Sequence, residues 1–364
     1  MDDRTQSNIE QAIAAFGRGE IVVVTDDDDR ENEGDLFVAA SLCTPEKMAF
    51  IIRHTSGIVC APLSFEEARR LHLDPMVSAN DAPLGTAFTV SVDVKHGMTT
   101  GISGEERSNT ARALANRNMG ASDFVRPGHV FPLIAREGGV LMRSGHTEAC
   151  IDLCRLAGLP PVGVLAELVN DDGTVKRGAE VAAFAKQHRL VQISISDLIA
   201  WRQAREKLVE RVATFPVKSE IGELSGYAFV TPFDAVHHMA FVYGKIGDGK
   251  NILARLHRAD VVSDVLGGGL PIHRSLARFK AAGRGVLVYL RDGTAGVPVT
   301  MPDRDQTSAT AAARERQWRQ IGLGAQILRD LGISSIRLLA SRERTYVGLS
   351  GFGIEIVATE TLDT

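Results

Sequence analysis

Cysteine is scarce in this 364-residue chain and stops early: Cys43, Cys60, Cys150 and Cys154 are the whole set, and no thiol follows residue 154. None has zinc-type spacing, so neither a cysteine-built metal site nor a disulfide framework is expected, and the thiols should be reduced. Cys150 and Cys154, four apart, suit one buried face of a helix. No apolar run approaches the roughly 20 residues that cross a bilayer. The polar start Met1-Asp2-Asp3-Arg4 does not read as a signal peptide. A cytoplasmic protein without a membrane partner is therefore expected. Aromatic residues make up 5% of the chain and form no stripe with basic side chains. The net charge of −4 divides into −9 over residues 1–200 and +5 over residues 201–364, a surplus too small to point to nucleic acid.

What the chain does have is acid in one place. Asp26-Asp27-Asp28-Asp29-Arg30-Glu31-Asn32-Glu33-Gly34-Asp35 gathers seven carboxylates around one arginine, directly after the apolar run 21–24. A solvated loop is the ordinary fate of such a run. Here, however, strand-like segments over 21–24 and 36–40 clamp it on both sides, so it reads as a tight connection in which the carboxylates repel one another unless a cation sits among them. Oxygen donors without cysteine suit Mg²⁺ or Mn²⁺, and the calcium-loop pattern fails for want of glycine at its sixth position.

A second cluster is Arg126-Pro127-Gly128-His129 followed by Arg143-Ser144-Gly145-His146-Thr147-Glu148-Ala149. The Ser-Gly pair turns the chain, and 146–158 reads as a helix whose first N–H groups form a phosphate cradle with Arg143 and Thr147. His146 is a candidate metal ligand beside it. Lysine is absent from 26–35 and from 126–152. A Schiff-base enzyme needs lysine in its site, so the clusters favour metal-assisted enolisation of a sugar phosphate.

Periodicity places helices over 46–53, 66–71, 105–116 and 180–188 and strands over 58–63, 88–94 and 162–168. Ser103 with Glu106 reads as a capping box opening the third of these helices. A helix over 195–212, broken by Thr214-Phe215-Pro216, places the domain boundary near 212. The short tract 307–313 is a loop or a helix start. The expected fold is α/β (α+β): two domains, 1–212 and 213–364, each a mixed β-sheet with helical layers.

Five motifs are recognisable. Asp29-Arg30-Glu31-Asn32-Glu33-Gly34-Asp35, Arg53-His54-Thr55-Ser56-Gly57-Ile58-Val59-Cys60, Arg126-Pro127-Gly128-His129-Val130-Phe131-Pro132-Leu133, Gly145-His146-Thr147-Glu148-Ala149 and Glu167-Leu168-Val169-Asn170-Asp171-Asp172-Gly173 resemble 3,4-dihydroxy-2-butanone 4-phosphate synthase, over about residues 5 to 205. The resemblance implies conversion of D-ribulose 5-phosphate to 3,4-dihydroxy-2-butanone 4-phosphate and formate in riboflavin biosynthesis. It implies Glu31 and His146 as ligands of Mg²⁺, His129 and Glu167 as the acid/base pair, and Arg30, Glu31, Asp35, the turn Arg143, Ser144, Gly145, His146 and Thr147, and Glu167 as the substrate's holders. The same resemblance points to a homodimer. Ser144 stands where the family often has glycine, a change that an ordinary backbone angle permits.

The second half is similar to GTP cyclohydrolase II through Val242-Tyr243-Gly244, Ile252-Leu253-Ala254-Arg255-Leu256-His257, Gly283-Arg284-Gly285-Val286-Leu287-Val288-Tyr289-Leu290-Arg291 and Gly324-Ala325-Gln326-Ile327-Leu328-Arg329-Asp330-Leu331-Gly332. By spacing, Asp260, Pro271 and His273 stand in the places of that family's three zinc cysteines. A proline side chain cannot ligate, so zinc is not expected. The segment Arg291-Asp292-Gly293-Thr294-Ala295-Gly296-Val297 lacks the family's second arginine, and Ser341-Arg342-Glu343-Arg344 replaces its Asn-Asn-Pro. The expectation is a catalytically inactive domain, with a bifunctional enzyme and a nucleotide-binding regulatory module as alternatives.

Overall fold

The computed structural model describes residues 3–26, 32–78, 80, 82, 85–207, 209–232, 234–291, 322–340 and 354–362. The tract 307–313 and the substituted segments 292–297 and 341–344 fall outside them. The chain divides into two compact units, 2–199 and 200–364, each built on a mixed seven-stranded sheet.

In the first unit, α1 (Asp3–Gly17) leads into β1 (Val22–Thr25), β2 (Gly34–Ala39), α2 (Pro45–His54), β3 (Cys60–Leu63) and α3 (Phe65–Arg70). Then come β4 (Val92–Val94), α4 (Gly104–Leu114), β5 (Phe124–Ile134), α5 (His146–Leu156), β6 (Gly163–Glu167), α6 (Gly178–His188) and β7 (Val191–Ser194). The strands lie in the order β4-β5-β3-β6-β2-β1-β7. Strand side chains alternate between two faces. Val23, Leu36, Val38, Ala61, Val164 and Ala166 enter one core with Ile51 of α2, Leu114 of α4 and Phe184 of α6. Their neighbours Val22, Val24, Phe37 and Leu165 face the opposite side, which α1 and α5 cover.

Local signals start these helices. The Thr44, Ser64 and Ser103 hydroxyls accept from the backbone N–H groups of Lys47, Glu67 and Glu106, and Ser103 with Glu106 forms the full capping box. Each such cap contributes about 1 kcal/mol. The strand expected over 88–94 narrows to Val92–Val94, while Phe88 and Thr89 make isolated bridges to Leu133 and Pro75.

In the second unit the strands run β14-β13-β11-β12-β10-β9-β8, with β8 (Glu210–Ser219) and β14 (Glu355–Thr361) at the edges. Between them lie β9 (Gly222–Thr231), β10 (Asp234–Tyr243), β11 (Ile252–Arg258), β12 (Gly285–Leu290) and β13 (Ser335–Ala340), with α8 (Leu270–Ala282) packing Leu276 and Phe279 onto Leu253 and Leu287. The helix expected to run to residue 212 is corrected: α7 is Ile195–Arg205, and residue 212 lies inside β8. The Gln326 amide donates to the carbonyls of Gln203 and Glu206, satisfying the end of α7. Pro216 does not break β8, because an edge strand pairs on one side only and Pro216 sits opposite Ser225 in that pairing.

Candidate active site

The register of the first sheet aligns Val24 with Asp35 and Asp35 with Glu167 across three neighbouring strands. Asp35 is 2% exposed, whereas Glu167, at the strand end, is exposed. Cys60 pairs with Leu165, two residues before Glu167, and so lies on the same face. Burial, with the charges of Asp35 and Glu167 adding to it, pushes the Cys60 thiol well up and keeps a thiolate out of the site.

The acidic connection is closed at its base. The Glu33 N–H donates to Asp26 Oδ1 at 2.9 Å, and Arg177, just before α6, reaches Glu33 at 3.2 Å. Gly34 is required there, since a Cβ would fall 2.5 Å from Val181 Cγ1. Residues 27–31, with Arg30 and Glu31, lie outside the described residues.

The helix expected at the glycine turn is α5. Gly145 caps it and, having no side chain, takes none of its first N–H groups, which lie at the positive end of the helix dipole. His146, in the first turn, meets Phe37 edge-on at 6.0 Å and so lies on the face of the sheet that carries Asp35 and Glu167. Thr147 is buried beside it. Arg143 is buried too, 2.6 Å from Glu148, and its guanidinium lies where a Cβ on Gly145 would be, 2.3 Å away. Glu148 therefore both orients and neutralises Arg143, and the helix start supplies the rest of the pull on an anion. Ser144 is half-buried and its backbone is outside the left-handed region, so it replaces glycine without strain.

His129 stands apart from this group. It lies on β5, level with Glu167 but two strands away, about 10 Å at the usual ~4.8 Å spacing. Its backbone N–H and its Nδ1 both bind Asp93 of β4, at 2.9 and 2.7 Å. The Asp93 side chain is 3% exposed and that of His129 40%. An ionised carboxylate only accepts, so Nδ1 carries the hydrogen and Nε2 is the nitrogen able to take a proton. Gly128 makes the strand crossing possible, since its Cβ would fall 2.0 Å from the Val92 carbonyl carbon. Sequence reasoning missed Asp93; its one signal is a charge between two valines in an apolar strand.

Two family profiles match the chain: 3,4-dihydroxy-2-butanone 4-phosphate synthase over residues 10–201, and GTP cyclohydrolase II over residues 210–361. The chain belongs to the 3,4-dihydroxy-2-butanone 4-phosphate synthase family. It is 45% identical to the bifunctional riboflavin biosynthesis protein RIBA 1 of Arabidopsis thaliana, covering 96% of this chain and 68% of that protein. RibBX, a two-domain 3,4-dihydroxy-2-butanone 4-phosphate synthase from A. baumannii, superposes with a TM-score of 0.80 at 36% identity, covering 98% of this chain and 99% of that one. A synthase crystallised in complex with two magnesium ions is 48% identical over 53% of this chain and 94% of its own, with a TM-score of 0.52.

In the cyclohydrolase-like unit of this synthase, the residues at and near the zinc positions are engaged as follows. His257 Nε2 is 2.8 Å from Asp264, whose second oxygen takes the Tyr289 hydroxyl at 2.7 Å and the Asp260 N–H at 3.0 Å. Burial lowers the His257 pKa and raises that of Tyr289 to about 12, the latter helped by its bond to Asp264. His273 turns to Glu220 on the surface, 2.8 Å away, and Pro271 opens α8.

Proposed function

We propose that Glu31 and His146 hold a divalent cation, Mg²⁺ or Mn²⁺, that His129 and Glu167 move the protons, and that residues 1–212 carry this chemistry while residues 213–364 hydrolyse no GTP. The reaction is the family's own: D-ribulose 5-phosphate gives 3,4-dihydroxy-2-butanone 4-phosphate and formate, in riboflavin biosynthesis. The observation that carries the reading is the common face on which Asp35, Glu167 and His146 meet the start of α5.

These donors suit a hard cation: carboxylate oxygens and one imidazole, with the nearby Cys60 kept as a thiol. The magnesium complex of the 48% identical synthase supports this choice. When bound, the cation polarises the substrate's ketone. Asp35, with Arg30, binds the sugar hydroxyls; Arg143, Ser144, Gly145 and Thr147 hold the phosphate at the helix start. Glu167 and His129 Nε2 are the groups that take and return protons, and Asp93 keeps His129 in the receptive tautomer. Zinc is not part of this account, since His257 and His273 are engaged by Asp264 and Glu220 and Pro271 has no donor. Among the described residues no helix is long and apolar enough to cross a membrane, and we place the protein in the cytoplasm.

The separation of His129 from Glu167 bears on assembly. About 10 Å between the two strands is a wide span for both to serve one small substrate from a single sheet. Ile58 and Ile102, each 52% exposed, adjoin Gly57 and Gly101, and Gly101 itself lies against Asp93 and His129. A homodimer in which each copy's His129 completes the other's site satisfies both facts. Mixing inactive His129→Ala and Glu167→Gln chains under conditions that exchange subunits is expected to restore about a quarter of parent turnover, the share of intact sites in a random mixture. A mixture as inactive as its components contradicts the shared site.

A further inference from the structure

We infer that Arg107 is a positioning residue that serves both halves of the acid/base machinery, balancing the buried Asp93 carboxylate and fixing the loop that abuts Glu167. The inference rests on the roles proposed above for His129 and Glu167. Arg107 sits in the second turn of α4, behind the Ser103–Glu106 capping box, and is 6% exposed. A buried guanidinium without a carboxylate in direct contact is costly, so its surroundings indicate what it is held for. Nη1 donates to the Gly57 carbonyl at 2.9 Å, and Nε has no hydrogen-bond partner among the described residues. Burial works against the charged guanidinium, and the charge of Asp93 works in its favour.

Each of these contacts leads to the chemistry. Asp93 directs both oxygens at His129, and the charge of Arg107 acts on Asp93 through space. Gly57 has a φ of 76°, and the preceding residue, Ser56, donates its N–H to the Glu167 carbonyl at 2.9 Å. One side chain on α4 therefore restrains the backbone of Glu167 through Gly57 and Ser56, and the charge of Asp93 through space. The helix is itself anchored to β4, the Val94 N–H donating to Thr110 Oγ1 at 3.1 Å. Hydrogen bonds thus tie α4 to β4 and to the loop beside Glu167.

The test is a double-mutant cycle in the full chain, reading formate release from ribulose 5-phosphate as kcat and KM separately. R107M is expected to lower kcat about 100-fold with KM changed less than about threefold, because the groups it misplaces act on protons rather than on binding. R107K, which keeps the charge, should recover at least about a tenth of parent kcat. In the D93N background the R107M change should cost clearly less than the about 100-fold it costs alone, since no carboxylate charge remains to be balanced and only the hold on Gly57 is lost. An unchanged kcat in R107M, no recovery in R107K, a loss confined to KM, or full additivity with D93N would each overturn the role. Should R107M fail to fold, recovery of a folded chain in R107M/D93N supports the charge-balancing account, and an equally unfolded double variant contradicts it. Parent-like turnover in D93N would instead sink the His129–Asp93 reading itself; D93N impaired beside an intact R107M rejects Arg107 alone.

Discussion

Glu31→Gln and His146→Asn each reduce formate release from ribulose 5-phosphate by about 10³-fold or more, because each deletes a proposed ligand of the cation that polarises the ketone, an effect of several kcal/mol. Glu31→Gln keeps side-chain volume, and His146→Asn keeps more of it than alanine would at a position 8% exposed and packed edge-on against Phe37. An alanine there would add a packing loss of its own. Melting temperature should stay near that of the parent chain without added metal. Calorimetric titration with Mg²⁺ separates a lost ligand from a lost catalytic group: both variants should bind the ion more weakly, whereas Glu167→Gln should bind it about as the parent does. Undiminished turnover of either variant at saturating substrate removes the metal assignment.

Asp93→Asn lowers kcat by about 10³- to 10⁴-fold with little change in KM, the size of effect that follows when a histidine loses the carboxylate fixing its tautomer. The fold should survive, since asparagine is isosteric and can still accept from the His129 backbone N–H that Asp93 now binds at 2.9 Å. Asparagine can also donate to Nδ1, which turns the ring hydrogen to Nε2 and presents a donor where the mechanism needs an acceptor. His129→Ala should be no worse than Asp93→Asn by more than about tenfold if the two act as one unit, given that the members of such a unit are not additive. Independent, multiplying losses would mean that Asp93 acts elsewhere than through His129.

Much of the first unit was legible because its signals are local. Ser103 and Glu106, three apart, announced α4; the valines before Asp26 and the apolar run after Asp35 announced the strand pair that carries the acidic connection. The glycine turn before His146 foretold the helix start of α5. What failed depends on distance along the chain. Asp93 acquires its meaning from His129, 36 residues away, and nothing near it in sequence names that partner. Pro216 reads as a breaker until β8 is known to be an edge strand, a property fixed by the whole sheet order. The end of α7 was misjudged for a similar reason, since Gln326, more than a hundred residues on, takes its last carbonyls.

The second unit gives the sharper lesson on residue identity. Matching its framework to GTP cyclohydrolase II says nothing about whether metal ligands remain, and only the side chains at 257, 260, 271 and 273 bear on that. His257 closes a network with Asp264 and Tyr289 inside the unit, its Nε2 engaged by Asp264. Replacing Asp260, Pro271 and His273 by cysteine leaves that network in place.

The measurement that bears most directly on the account is a paired assay of the purified full chain: formate released from ribulose 5-phosphate with Mg²⁺, and separately from GTP with Zn²⁺, with bound metals quantified in the same preparation. The account predicts formate from ribulose 5-phosphate that EDTA stops and Mg²⁺ restores, and none from GTP. Turnover of GTP accompanied by one zinc per chain, or metal-independent turnover of ribulose 5-phosphate, would contradict it.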